Sequence, residues 1–250
     1  MIQFFASALA HDGLGWVVFG SLLAGLVRGF SGFGTAMIYL PFAAAVLSPV
    51  WALTALIVME LVAPLVLVPR ALRDGHPPDI LRLAGGSLIG VPIGVALLLV
   101  MSVDAFRYSV SSISLLLLVA LVLGLRYKGA LTRPMVYGTG GLGGLLAGSV
   151  GIPGPPVIML YMASTLPAAA IRANNTVYLV LANLQILGVF AFRGLLDPVP
   201  VATGLIAAVP YAAGIGIGAL FFDPRRETRY RRIAYAIIAL SAVLGLPFLD

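Results

Sequence analysis

The chain has 250 residues, 61% hydrophobic and 10% charged, with a mean hydropathy of +1.09. It is too apolar for a soluble globular domain, so lipid must be the solvent for most of it. The formal charge of +6 admits a nucleic-acid binder, but the basic residues sit in short loops between apolar runs without aromatic interleaving, as in cytoplasmic loops of a membrane protein.

No cysteine is present, which excludes a disulfide scaffold or a thiolate metal site. Residues Met1 to Ala10 lack a basic n-region, so the apolar N-terminus is expected to stay in the membrane rather than be cleaved as a signal peptide. Runs free of ionisable groups at Phe30 to Met59, Leu83 to Val103, Pro134 to Ile171, Ala173 to Phe192 and Pro198 to Phe222 each hold at least one span of roughly 20 residues. They are continuous and rich in Leu, Ala, Val and Gly, not alternating in blocks of about ten as in a β-barrel. The expected fold is an all-α polytopic transmembrane bundle.

Hydropathy and turn signals predict ten apolar segments, at 14–30, 33–48, 51–69, 80–101, 105–125, 134–149, 153–165, 170–192, 199–221 and 232–249. The second and seventh follow glycine-rich breaks, Gly29-Phe30-Ser31-Gly32-Phe33-Gly34 and Gly148 to Pro156. Basic residues cluster after segments three (Arg70, Arg73, with Arg82 beyond), five (Arg126, Lys128, Arg133) and nine (Arg225, Arg226, Arg229, Arg231, Arg232), which places those loops on the cytoplasmic side. Arg107 and Arg193 are lone exceptions on the outer side. This pattern requires each broken pair to cross twice or to re-enter, and it predicts both termini outside.

An offset of 119 carries Gly25, Gly29 and Gly32 onto Gly144, Gly148 and Gly151, and one residue of slippage carries Pro49 onto Pro167. The chain therefore reads as two repeats, 1–128 and 129–250, of five segments each. An odd number makes them inverted in topology, a plan common in secondary transporters.

Glycines at i and i+4 recur at Gly25/Gly29, Gly86/Gly90/Gly94, Gly140/Gly144/Gly148 and Gly214/Gly218, and close helix packing accounts for them. Gly138, Gly140 and Gly143 match G-x-G-x-x-G, but no strand precedes them and a dinucleotide site is rejected. The breaks ask for more, because irregular backbone at membrane depth is tolerated only inside protein or beside a wet cavity. Half-helices starting at Gly34-Thr35 and at Gly154 would aim free N–H groups and a positive dipole end at an anion; a structural kink is the competing reading.

Arg28, just before the first break, is either a snorkelling end residue or a charge facing the substrate path. Glu60 is the one acid well inside an uncharged run, and reads as a proton-coupling site or as the static partner of an arginine such as Arg28. Arg172, Asn174, Asn175, Asn183 and Gln185 lie on an otherwise apolar segment and are expected to face the interior, for interhelical bonding or substrate contact. His11 and His76, with Asp12, Asp74 and Asp79 nearby, read as solvated surface. Trp16 and Trp51 look like interfacial anchors.

At the two breaks the chain resembles the TauE/SafE family, the sulfite exporters. The similarity is carried by Gly25 to Gly34, Pro41 and the Pro49-to-Thr54 stretch, then by Gly144 to Pro156, Pro167 and Ile171-Arg172-Ala173-Asn174-Asn175, and it spans essentially the whole chain. It implies a transporter of the bacterial inner membrane that exports sulfite or a small organosulfonate such as sulfoacetate. Family first breaks often carry consecutive glycines, whereas this chain has Ser31-Gly32-Phe33-Gly34-Thr35, which leaves the substrate open.

The expected mechanism is alternating access, with the breaks meeting near the midplane and a small anion bound between the half-helix N-termini. Ser31, Thr35, Ser149 and the backbone at Gly32, Gly34, Gly151 and Gly154 would supply neutral donors, and Arg28 or Arg172 the charge. Export of an anion from a cell negative inside is electrically favoured, so strong ion coupling is not required, and Glu60 is the coupling candidate. No cofactor, catalytic residue, metal or nucleic acid is expected; the partners are the anion, membrane lipid and, as an open assembly state, a second copy. An anion channel is the alternative. An intramembrane enzyme ranks lower, because two histidines, no cysteine and one buried acid are poor catalytic material.

Overall fold

The computed structural model describes residues 2–62, 64–124, 131–161, 166–221 and 227–249. Every regular element among them is helical: α1 (Ile2–Leu9), α2 (Leu14–Ser31), α3 (Thr35–Ala43), α4 (Pro49–Val62), α5 (Pro64–Asp74), α6 (Pro77–Val100), α7 (Val103–Val122), α8 (Arg133–Val150), α9 (Gly154–Tyr161), α10 (Ala168–Phe192), α11 (Pro198–Leu220) and α12 (Glu227–Leu244), closed by a 3-10 turn at Pro247–Leu249. Five of them, α2, α6, α7, α10 and α11, are long and apolar enough to cross a membrane.

Three expected segments carry short helices or lie partly outside the described residues. The stretch expected at 51–69 is helical in its described residues, as α4 and α5, with residue 63 between them outside the described residues. The segment expected at 33–48 contains α3, of nine residues, and the described part of 153–165 holds α9. At 1.5 Å per residue α3 is only about 14 Å long, less than half of a hydrocarbon core of about 30 Å, so it does not cross alone. Arg126, Lys128, Arg225 and Arg226, offered as cytoplasmic-side charges, lie outside the described residues, as do residues 162–165.

The chain forms two compact units. The first comprises Met1–Glu60, Met101–Val119 and Leu196–Asp250, and the second Leu61–Val100 and Ala120–Leu195. In the first, α2 lies against α11. A Cβ at Gly25 would strike the Tyr211 carbonyl oxygen, one at Gly29 would lie 2.9 Å from the Ala219 nitrogen, and one at Gly214 would lie 2.8 Å from the Leu26 nitrogen. In the second, α6 lies against α8 by the same device: a Cβ at Gly90 would strike Gly141 O, and one at Gly148 would lie 2.8 Å from the Val95 nitrogen.

The packing reading of the glycine spacings therefore holds. In lipid, apolar side chains gain little by leaving an apolar solvent, so van der Waals contact between closely apposed backbones must hold such pairs together. The spacing Gly90/Gly94 of α6 recurs in α11 as Gly214/Gly218, at an offset of 124. Each helix that ends in a break thus has a glycine-bearing partner in its own unit.

Candidate functional site

The first break is built by glycine. Gly32 (φ 78°) ends α2 and Gly34 (φ 92°) precedes α3, both left-handed conformations that a side chain at either position would strain. Gly32 N–H donates to Arg28 O at 2.8 Å, which closes α2. The Ser31 hydroxyl contacts the carbonyls of Val27 at 2.7 Å and Phe33 at 3.1 Å and accepts from Phe33 N–H at 3.4 Å. Its single proton is held by the break's own backbone, so Ser31 shapes the break rather than offering an outward donor. No side chain caps the N-terminus of α3, where the first N–H groups have no acceptor within the helix.

Around that uncapped end four side chains converge within the first unit. Arg28 donates through Nη1 to Thr35 Oγ1 at 3.1 Å, and the same nitrogen lies 3.4 Å from Glu60 Oε1. Thr35 Oγ1 is 3.1 Å from the Tyr211 hydroxyl, with either oxygen able to donate. Thr35 and Tyr211 are almost fully buried, at 2% relative exposure each, and the Arg28 and Glu60 side chains retain 21% and 11%. Arg28 is thereby enclosed, its charge held by Glu60 and by hydroxyls. Tyr211 was not singled out from sequence. Its only signal is a phenol on an apolar helix one residue after Pro210, which does not mark a partner 176 residues away.

The second break has related backbone and different side chains. Gly151 (φ 71°) ends α8, its N–H donating to Ala147 O at 3.1 Å while Ile152 N–H reaches Leu146 O at 3.2 Å, so a left-handed glycine closes the helix. Ser149 donates to Leu145 O at 2.7 Å, so its proton too is spent on the helix. Gly154 opens α9 with its Cβ position open to within 3.8 Å of Leu179. Neither an arginine nor a carboxylate stands in this break; the position that the offset of 119 pairs with Arg28 is Ala147.

Along α10 the expected inward face is only partly inward. Arg172 is exposed, while Asn174 is fully buried and Asn183 nearly so. Asn175 is half-buried, its Oδ1 enclosed without a hydrogen-bond partner among the described residues. Asn174 accepts from His76 N–H at 2.7 Å and donates to the Tyr161 hydroxyl at 3.2 Å, tying α10 to the α5–α6 connection and to the end of α9.

Asp79, beside the partly exposed His76, is buried. It is 7% exposed and accepts from Arg82 at 2.8 Å, with His76 Nδ1 3.3 Å from its other oxygen. Its burial follows from its place in the first turn of α6, under the chain that Asn174 holds down. Asn174→Ala leaves a buried N–H without its acceptor and is expected to lower stability by about 1–3 kcal/mol. Thermal unfolding of the purified protein checks this, and an unchanged midpoint would remove Asn174 as a tie.

The profile of the sulfite exporter TauE/SafE family matches residues 17–244, nearly the whole chain and both breaks. Comparison with curated proteins and with solved structures gives no match. Five spanning-grade helices and a transporter family together make this a multi-pass membrane protein of transport function. The chain belongs to the sulfite exporter TauE/SafE family.

Proposed function

We propose that this protein carries sulfite or a small organosulfonate out of the cell by alternating access, with the anion held at the N-terminus of α3 by Arg28, Thr35 and Tyr211. The observation that carries this reading is an enclosed guanidinium beside two buried hydroxyls and an uncapped helix start. A guanidinium matches the spread oxygens of a sulfonate or sulfite, the hydroxyls can donate to a third oxygen, and the helix end adds N–H groups and partial positive charge. Of the two arginines offered as the charge, Arg28 is favoured, because Arg172 stands at an exposed position.

Gly34, Gly151 and Gly154 serve the reading as backbone that lets half-helices begin at depth, and Gly32 as the residue that turns the chain. The parallel pairing of each broken helix with a glycine-bearing helix supports an inverted repeat, and the shortness of α3 supports re-entry. With positive loops cytoplasmic, both termini lie outside the inner membrane.

The test is thermal stabilisation of the purified protein by sulfite, sulfate, sulfoacetate, methanesulfonate, small carboxylates and phosphate. A ligand that binds only the folded state raises stability by mass action. A selective rise with sulfite or a sulfonate is expected. A protein that no anion stabilises, and that moves none of them in vesicles, would sink the reading.

A further inference from the structure

The start of α3 has a polar flank and an apolar one. Arg28, Thr35 and Tyr211, from α2, α3 and α11, supply the charge and the hydroxyls of the first. The second is made by α12, which lies against α3 in the same unit. Ala234, Ile238 and Ala242 form a buried row along α12 at i, i+4 and i+8, each with 0% relative exposure. Between two alanines, Ile238 is the side chain of that row that projects.

It projects at the break. A Cβ built on Gly34 would lie 3.1 Å from Ile238 Cδ1 and 3.7 Å from its Cγ1, and apart from the break's own residues it would meet nothing else within 4 Å among the described residues. Gly34 immediately precedes the first turn of α3, whose leading N–H groups have no acceptor within the helix. Three residues before Ile238, the Tyr235 ring stands 6.2 Å from the ring of Phe33. The same helix therefore covers both Phe33 and Gly34 with carbon.

A sulfonate sulfur is tetrahedral, with three oxygens sharing one negative charge and a fourth bond to carbon. When the oxygens turn to the guanidinium, the hydroxyls and the helix start, the fourth bond points away from those donors. An alkyl group on that bond gains by leaving water against an aliphatic wall, up to the length at which it meets the wall.

Building on the reading of the α3 start as the anion seat, we propose that Ile238 is a specificity-determining residue: its side chain is the wall that limits the length of the group carried on the sulfonate sulfur. The Cδ1 methyl is its atom nearest to Gly34. Valine lacks only that methyl, so Ile238→Val sets the wall back by one carbon while keeping the β-branch, and Ile238→Ala sets it back further.

The experiment is calorimetric binding of methane-, ethane-, 1-propane- and 1-butanesulfonate to wild type, Ile238→Val and Ile238→Ala. The four anions share one headgroup and one charge, so affinity ratios within the series cancel the seat and report the wall. One methylene against a hydrophobic pocket discriminates by about 10–200-fold. Wild-type affinity is expected to fall by about tenfold or more at one step of the series. That step should move at least one carbon further in Ile238→Val and further again in Ile238→Ala, with methanesulfonate affinity little changed. Ile80→Val, the same deletion at a buried position of the second unit, should leave the series as in wild type. Loss of packing alone lowers the melting temperature and does not move these ratios.

A wild type that binds all four anions alike, or a step that stays in place in the Ile238 variants, overturns the inference and leaves the anion seat standing. A step that moves equally in Ile80→Val also overturns it. Failure of all four anions to bind wild type overturns the seat itself. Should Ile238→Ala not fold, Ile238→Val decides.

Discussion

Arg28→Met is expected to reduce anion transport in vesicles to background and to lower stability by about 3–5 kcal/mol, the usual cost of stripping one partner from a buried ion pair. The two effects have different origins. The instability comes from Glu60, left nine-tenths enclosed with its nearest cation gone, and the transport loss from the missing guanidinium. Arg28→Met combined with Glu60→Gln separates them. The double variant removes both charges, so most of the stability should return, whereas transport should not. A double variant that transports at the wild-type rate would show that Arg28 serves only to neutralise Glu60. Arg28→Lys is an informative intermediate, since it keeps the charge and loses the planar fork, and it should weaken binding more than it weakens the fold.

Gly90→Ala is expected to be among the most destabilising single methyl groups in the second unit. Its Cβ would overlap Gly141 O and come within 2.8 Å of Leu145 N and 2.9 Å of Gly141 C, all backbone atoms of α8. A side chain in that position could rotate away, but a backbone cannot, so α6 and α8 must move apart along their shared seam. The cost should reach or exceed the upper end of the ~1–3 kcal/mol typical of overpacking. Gly138→Ala in the facing helix α8 is the control. Nothing lies within 4 Å of its Cβ position, and alanine is the better helix former by up to about 1 kcal/mol, so that variant should be neutral or slightly stabilised. Equal melting temperatures for the two variants would mean that the glycine seam does not hold the pair.

Much of the fold was legible in the sequence because it is written in local terms. Continuous apolar runs state that lipid is the solvent, and in lipid only a helix satisfies its own backbone within one segment. Glycines at i and i+4 mark seams because one face of one helix carries them. The breaks at Gly32/Gly34 and Gly151 are readable because left-handed backbone all but demands glycine.

The candidate site was legible only in halves. Arg28, Thr35 and Glu60 were each conspicuous as polar groups at or near a break, and Arg28 with Glu60 was one of the pairings the residues allowed. What fills out their surroundings, the Tyr211 hydroxyl, comes from 176 residues beyond Thr35, and no periodicity connects the two. The same holds for Asp79. No residue near it in sequence marks it as enclosed, yet the chain above it is fastened by Asn174, 98 residues beyond His76, and it is buried. Arg172 stands at an exposed position, and a helix of mixed character does not announce from sequence how far each of its polar residues is covered. Composition and spacing by themselves determined the solvent, the helices, the seams and the breaks, since each depends on residues within a turn or two of one another. Only the tertiary structure decided which polar side chains share an enclosed volume, since burial and charge pairing are set by neighbours in space that the chain order does not name.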